Sequence, residues 1–534
     1  MLRTGIHSPD PQSEATPPSF DLRPAAIQTW VADLPLADAS KTCALVFNAV
    51  AETNGRSLPP QQRFKVLEAI REPVHYLEDA LSRHFTTAGL PLPPQAGKIA
   101  SLLHGLQLEM ATGYRQIADE LLGLEGLRQD FALLASAAQR ALLYYGRALL
   151  TGYQAYRPPA PGLWHGVHTL FDGAERKGIT RSRVKDRHRP DGEVSTAVET
   201  EYLQILLFAL ADPMRFDRRD MERLVRLLAP WARHCRLSPL ERSEIPAGAC
   251  IVDLDSDRPP VHRHLGTAWT VGPNLRLLDT SALVADLERS VTWPPPDVIG
   301  GRLTRGEEPA WLSLLSRLRM AWGGSAKRMF TRNEGVLEEM QWVAGLTGSH
   351  RVLTAEEDNR PVELPFAFGR QTPRTLQRRA RADEPVNVAM VLNESANGAS
   401  MRWVDGVPGR MRVDEVLVLR QAHQPGWGVG TVRWIKTLGQ HGLDLGIELL
   451  APEVMPVMVR RHGEGEDERE YFKALYLPAV AALRRPASLL LPASFFQPGD
   501  VLSVRIGRRT RALQLGQAPE SNRIYARFLF GSAE

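Results

Sequence analysis

Along residues 28–240 the apolar positions recur at three- and four-residue spacing. Phe64, Leu67, Ile70, Val74, Leu77, Leu81 and Phe85 form one stripe, as expected for an amphipathic helix with one face in a core. Pro73 lies within it and predicts a kink or a split, since proline lacks the N–H and its ring crowds the preceding turn. Residues 95–155 continue the pattern in an Ala- and Leu-rich stretch. There Leu121, Leu124, Leu127, Phe131, Leu134 and Ala138 predict the core face of one helix. Residues 200–236 predict another, after a polar loop at 176–196. A bundle of about six to eight helices accounts for the region economically.

The pattern changes near Pro239. Residues 245–300 are rich in Pro, Gly, Asp and Val, with short apolar pieces such as Ala249–Val252, and predict short strands. Trp293-Pro-Pro-Pro-Asp is a break. Trp311–Trp322 predicts a single amphipathic helix stopped by Gly323-Gly324. Strand-like runs follow at Val336–Leu346, 388–403, Trp427–Ile435 and Leu445–Leu450. A further β module holds Ser488–Leu491, a Pro498-Gly499-Asp500 turn, Val501–Ile506, Arg511–Leu515 and Ile524–Phe530. No internal repeat is visible.

At 534 residues and 59.4 kDa the chain predicts about three or four domains. Its 43% hydrophobic and 24% charged content is that of ordinary globular domains. No apolar run reaches the roughly 18 residues of a membrane span. Residues 1–27 are polar and Pro/Ser-rich without the layout of a signal peptide, so a disordered leader is expected. Three scattered cysteines, Cys43, Cys235 and Cys250, argue against a disulfide framework and fit a reducing cytoplasm. The net charge of +4 is small, but 57 of the 65 basic residues are arginine. They concentrate at Arg181–Arg189 and Arg370–Arg381. Such runs are read as solvated loops, with anion or nucleic-acid binding the minority reading.

The most informative stretch is 388–403, VAMVLNESANGASMRW. An apolar strand enters a polar turn and leaves as another apolar strand. The turn carries Asn393-x-Ser395-x-x-Gly398. By chance this pattern occurs about 0.2 times in a chain of this length. Hairpin turns favour the same residue types. Its setting adds weight, because the strands GVGTVRW and LGIELL follow. Together these stretches resemble the PilZ family of small β-barrels that bind cyclic di-GMP. The family signature is Arg-x-x-x-Arg before the first strand, then Asp/Asn-x-Ser-x-x-Gly on the barrel. The resemblance covers about residues 326–460 and implies a PilZ-like β-barrel there; with the apolar patterning of the rest, the expectation is a multidomain α+β chain in which a helical bundle precedes β-rich domains including that barrel. The expected divisions are 28–240 (helical), 241–325 (small, β-rich, with a closing helix), 326–460 (barrel) and 468–534 (β module).

The ligand that the resemblance implies is a dianion with two guanine faces. Arginines suit its phosphates and guanine O6/N7 because the guanidinium is planar, permanently charged and bidentate. Asn and Ser satisfy polar edges, and Gly permits close approach. The expected ligand residues are Arg328, Arg332, Asn393, Ser395 and Gly398. Arg-x-x-x-Arg is a weak signal here, with roughly six chance matches. Arg374/Arg378 is the alternative pair, only 14 residues before Asn393. Choosing Arg328/Arg332 requires an insertion at about 354–385. Loss of ligand binding altogether, leaving a PilZ-fold scaffold for protein–protein contacts, is the competing reading.

Other constellations carry less. Asp253-Leu-Asp255-Ser-Asp257 starts like a calcium loop, but its sixth position is Arg258 and its twelfth is His264. His165/His168 and His262/His264 have no third metal ligand at matching spacing. Gly426-Trp-Gly-Val-Gly430 sits between strands without the Lys-Ser/Thr of a phosphate loop. Hydrolase and metalloprotease signatures are absent, and the sequence around Ser395 offers no general base. No catalytic residue, metal or cofactor is therefore expected. The expectation is a cytoplasmic, non-enzymatic receptor of cyclic di-GMP. Its helical domain would contact an unidentified protein partner, with Tyr144, Tyr145 and Trp164 read as core. The resemblance implies an output in motility, biofilm or exopolysaccharide control.

Overall fold

The computed structural model describes residues 21–124, 130–188, 195–241, 249–262, 272–289, 308–324, 333–334, 338–357, 386–395, 397–404, 411–421, 424, 426–439, 442–463, 471–481, 484–506 and 509–533. Helices α1 (Pro24–Ala32), α2 (Ala39–Asn54), α3 (Pro60–Thr86), α4 (Pro94–Leu122), α5 (Phe131–Gln154), α6 (Leu163–Arg176), α7 (Val198–Leu210) and α8 (Arg218–Ala232) form the N-terminal bundle. Proline opens α1, α3 and α4, where its missing N–H costs nothing. Asp38, Asp130 and Asp217 cap α2, α5 and α8 by accepting from the backbone N–H of Lys41, Leu133 and Asp220.

Two helical expectations are revised, and of the kink or split expected at Pro73 the split is ruled out. α3 runs through Pro73 without a split. The single helix expected over 121–138 is two. α4 stops at Leu122 before Gly123, and Asp130 starts α5, leaving Phe131 49% exposed while Leu134 and Ala138 are buried. Leu127 lies outside the described residues. The helix expected over 200–236 is also two, because Asp212 turns left-handed (φ 56°) and Pro213 follows. An apolar stripe cannot register a cap that falls between two of its own repeats.

A short hairpin, β1 (Arg183–Lys185) and β2 (Ser195–Ala197), lies on the bundle. Asp186, just after β1, is buried in ion pairs with Arg71 (2.9 Å) and Arg140 (3.0 Å). β3 (Arg236–Pro239), β4 (Cys250–Asp253), β5 (Val261–His262) and β6 (Leu275–Asp279) form a sheet in the order β3-β6-β4-β5. It is followed by α9 (Ser281–Arg289) and α10 (Glu308–Trp322). α10 ends where expected, before Gly323 and Gly324, the latter at φ 64°. Its last residue joins it to the bundle. The Trp322 ring meets Trp231 edge-on at 5.3 Å, and its Nε1–H donates to the Leu207 carbonyl at 3.0 Å.

The next strands are β7 (Asn333–Glu334), β8 (Glu339–Ala344), β9 (Asn387–Ser395), β10 (Gly398–Trp403), β11 (Val416–Gln421), β12 (Gly428–Leu438) and β13 (Gly442–Ala451), with α11 (Leu346–Glu357) after β8. All pairings are antiparallel. The order β9-β10-β13-β12-β11-β8 closes because β8 also pairs with β9, giving a six-stranded barrel with β7 added along β9. Trp342 and Trp403 meet edge-to-face at 4.8 Å inside it. The C-terminal strands are β14 (Met455–Arg461), β15 (Phe472–Leu477), β16 (Ser488–Pro492), β17 (Val501–Ile506), β18 (Arg509–Leu515), β19 (Glu520–Ser521), β20 (Tyr525–Phe528) and β21 (Phe530–Ser532). They form one antiparallel sheet in the order β19-β20-β16-β15-β14-β17-β18-β21.

One apolar core runs from the bundle through the four-stranded sheet and α10 into the barrel interior. A second joins outward side chains of β11 (Val416, Val418), β12 (Val429) and Trp427 just before β12 to Leu475, Leu477, Leu490 and Tyr525 of the C-terminal sheet. The C-terminal sheet therefore covers part of the barrel wall. Polar tethers fix the same seams. Thr437 of β12 donates its N–H to the Tyr156 carbonyl (2.8 Å) and its hydroxyl to the Ala155 carbonyl (2.9 Å). Arg523 pairs with Asp217 (2.9 Å) and Asp220 (2.6 Å) at the start of α8.

Burial, and then the neighbouring Asp217 charge, push the Asp220 carboxyl up to about 7 against the pull of Arg523, Arg223 and Arg317. Its folded-state pKa exceeds its unfolded one, so the folded state favours the protonated form. That carboxyl therefore loses stability progressively from about pH 4 to pH 7 as the unfolded chain releases the proton first. Asp220→Asn should flatten that part of the thermal midpoint against pH, since Arg523 keeps Asp217. An unchanged slope would contradict the assignment.

Candidate ligand face on the barrel wall

The motif folds as the β9–β10 hairpin, with Ser395 paired to Gly398 and Asn393 to Ser400. Which way it faces follows from the pleat. Met401 belongs to the interior core. Its neighbour Ser400 therefore points outward, and so do Gly398 and Arg402 two residues to either side. Cross-strand partners share a face, so Asn393 and Ser395 point outward too. The preceding part of β9 does not obey the same alternation, since Ala389 and Val391 lie in the interior core. A bulge resolves this, because the register slips between Ser400–Asn393 and Met401–Val391 and leaves Leu392 over. All three motif residues therefore lie on the outer wall, on strands other than the β11 and β12 residues that the C-terminal sheet covers.

The motif glycine is explained by packing. A Cβ on Gly398 would sit 2.0 Å from the Ile447 carbonyl oxygen of β13. The Ser395 hydroxyl donates to the Gly398 carbonyl at 3.2 Å and closes the turn. Asn393 is half-buried. Across β13, Gly446 pairs with both Ser400 and Trp434. A Cβ on Gly446 would fall 1.8 Å from Trp434 Nε1, so the indole lies flat over this glycine. Trp434 is half-buried and was not among the expected ligand residues. Its signal was the glycine-facing aromatic, legible only once β12 and β13 are in register. Nearby, Arg402 makes a two-bond ion pair with Asp444, at 2.8 and 3.0 Å. Glu448, opposite Gly398, accepts from Arg433 (2.7 Å) and Arg485 (3.3 Å).

Arg328, Arg332, Arg374 and Arg378 lie outside the described residues. The strand that follows the first pair is described. Asn333 and Glu334 pair with Glu394 and Asn393.

Three matching family models run consecutively along the chain. They are described as the N-terminal domain, the middle PilZ domain and the C-terminal beta-barrel domain of the cyclic-di-GMP receptor FimW. They match residues 25–243, residues 249–362 with 358–456, and residues 457–532. The chain belongs to the PilZ-domain cyclic di-GMP receptor family. A curated relative from Pseudomonas aeruginosa, the cyclic-di-GMP receptor FimW, is 27% identical over 563 residues, spanning 96% of this chain and 91% of the relative. The PilZ resemblance and the multidomain α+β architecture both hold, and the family matches extend into the helical and C-terminal regions that the resemblance did not reach.

The residues set aside in sequence have structural roles. His168 is buried between the Tyr202 hydroxyl (2.7 Å) and the Arg258 carbonyl (2.8 Å), and burial lowers its pKa. Asp257 of the apparent calcium loop accepts from the N–H groups of Gly162 and His165 at the start of α6. Tyr144, Tyr145 and Trp164 are core residues. No helix among the described residues is long and apolar enough to cross a membrane.

Gly398→Ala tests the hairpin directly. It should force β10 from β13 and cost more than the roughly 1–3 kcal/mol of ordinary overpacking. Hydrogen exchange at residues 393–403 should rise by an order of magnitude or more in this PilZ domain, and unchanged protection would show that β13 is not the constraint.

Proposed function

We propose that this chain is a non-catalytic receptor that binds cyclic di-GMP on the outer wall of its PilZ barrel. The observation that carries the reading is the pairing of β7 with β9. It sets Asn333 and Glu334 against Glu394 and Asn393, beside the face that Asn393, Ser395 and Gly398 share, and in sequence these two residues directly follow Arg332. Arg328 and Arg332 then clamp phosphate and guanine O6/N7 from the arm. Asn393 and Ser395 hydrogen-bond polar edges from the wall. Because the Ser395 hydroxyl already donates to Gly398, its free lone pairs suit a guanine N–H. Trp434 offers an aromatic surface on the same wall for stacking. Arg374/Arg378 remains the alternative clamp.

The receptor works in the cytoplasm and passes the signal to a protein partner on its helical bundle. A different observation favours a second reading, a PilZ scaffold without ligand. Packing against β13 accounts for Gly398, and the hairpin turn accounts for the Ser395 hydroxyl.

Calorimetric titration with cyclic di-GMP, using GTP as the control, separates the two. The receptor reading gives micromolar or tighter binding, selective over GTP. Arg328→Ala and Arg332→Ala each then lose about tenfold or more, the loss of a charge-assisted contact. Trp434→Ala loses about five- to a hundredfold by removing a stacking surface. Absence of heat and of thermal shift at high ligand overturns the receptor reading.

A further inference from the structure

The signature leaves position 397 open, and this chain uses it. Asn397 sits in the loop between Ser395 and Gly398. Its carbonyl accepts from the Leu449 N–H of β13 at 2.9 Å. Its side-chain oxygen accepts from Arg485 Nη2 at 3.0 Å. Arg485 belongs to the C-terminal module, in the connection between β15 and β16. Its backbone is fixed there by a two-way bridge with Val480 (2.8 and 3.1 Å), and Arg484 before it is left-handed at φ 51°. The rest of the guanidinium is spent on the same neighbourhood. Nη1 donates to the Leu450 carbonyl at 3.1 Å, and Nη2 also reaches Glu448 Oε1 at 3.3 Å. A side chain from the third domain thus grips both the motif loop and the strand beneath it.

We infer that Arg485 is a positioning residue for the nucleotide face, and that through it the C-terminal module both tunes affinity and senses occupancy. The inference rests on the receptor reading above. Of the described ligand residues, Arg485 bonds none of Asn393, Ser395 and Gly398; its side chain bonds Asn397, Leu450 and Glu448. It acts by holding Asn397, and with it the backbone that sets the Ser395–Gly398 turn. Ordering this loop before binding removes a cost the ligand would otherwise bear. Coupling is reciprocal, so a ligand that orders the turn must also tighten the Arg485 contact and the seating of the β15–β16 connection. A second tether of the same module, Arg523 to Asp217 and Asp220, touches neither the hairpin nor β13 and provides the comparison.

The test is calorimetric titration of the full chain with cyclic di-GMP in six forms: unsubstituted, Arg485→Ala, Arg485→Lys, Asn397→Ala, the Arg485→Ala/Asn397→Ala double variant and Arg523→Ala. The inference predicts that Arg485→Ala and Asn397→Ala each weaken binding by about fivefold or more. The double variant should lose no more than either alone, Arg485→Lys should recover part of the loss, and Arg523→Ala should stay within about twofold. Should Arg485→Ala fold poorly, the Asn397→Ala result decides, since that change leaves the module's own contacts in place. Normal affinity in both Arg485→Ala and Asn397→Ala overturns the inference while the receptor reading stands. Equal losses in Arg485→Ala and Arg523→Ala overturn it as well, since domain docking in general would then be responsible. No binding by the unsubstituted chain overturns the receptor reading and this inference together.

Discussion

Arg433 is where the three domains meet. Its guanidinium is shared among Glu448 of β13 (2.7 Å), Glu520 of the C-terminal sheet (2.6 Å) and Asp414 before β11 (3.4 Å). Asp414 in turn accepts two bonds from Arg317 on α10 (2.6 and 2.7 Å), whose Nη1 donates to the Arg215 carbonyl of the helical domain (3.2 Å). Burial works against this charge, but Glu520, the Tyr525 phenol, Glu448 and Asp414 outweigh it, and the arginine's pKa lies well above its ordinary value. Burial likewise disfavours the Glu520 carboxylate, yet Arg433 and Tyr525 hold its pKa below the usual range. A half-buried charge network of this kind contributes little net stability but is costly to break from one side, because the remaining charge loses its partner. Its effect is to hold relative position. A bulge aims it: β12 skips a residue between Val432 and Trp434, so Arg433 has no cross-strand partner in β13.

The proposed ligand face inherits its geometry from that anchor. β13 is fixed from below by Glu448, and the motif hairpin lies on β13 at the one place where a side chain would collide with the Ile447 carbonyl. Two bulges, one in β9 and one in β12, present polar groups and an indole on a barrel wall whose interior is filled by Trp342, Trp403 and their apolar neighbours. The same wall continues under the C-terminal sheet on β11 and β12. The proposed ligand face and the neighbouring domain thus occupy two sectors of one closed sheet, and β13 lies between them.

Much of this was legible in the sequence. Long amphipathic stripes disclosed the bundle, and alternation around Asn393-x-Ser395-x-x-Gly398 disclosed the hairpin and the family. Helix limits between Leu122 and Phe131, and at Asp212-Pro213, were not legible, because the apolar repeat continues across both breaks. Bulges were invisible as well, since one extra residue reverses facing without changing composition. Arg433, Glu448 and Arg485 could not be found in a chain with 57 arginines. Their partners lie 15 to 88 residues away in sequence, and only the fold brings them together.

The account centres on an outward ligand face on β9, β10 and β13, read by the domain behind it. Hydrogen exchange of the intact chain with and without saturating cyclic di-GMP tests this most directly. The account predicts slowed exchange at residues 393–400 and 445–449, with a smaller slowing at 480–486. Slowing confined to the helical bundle or the far side of the C-terminal sheet, with the hairpin unchanged, would contradict it.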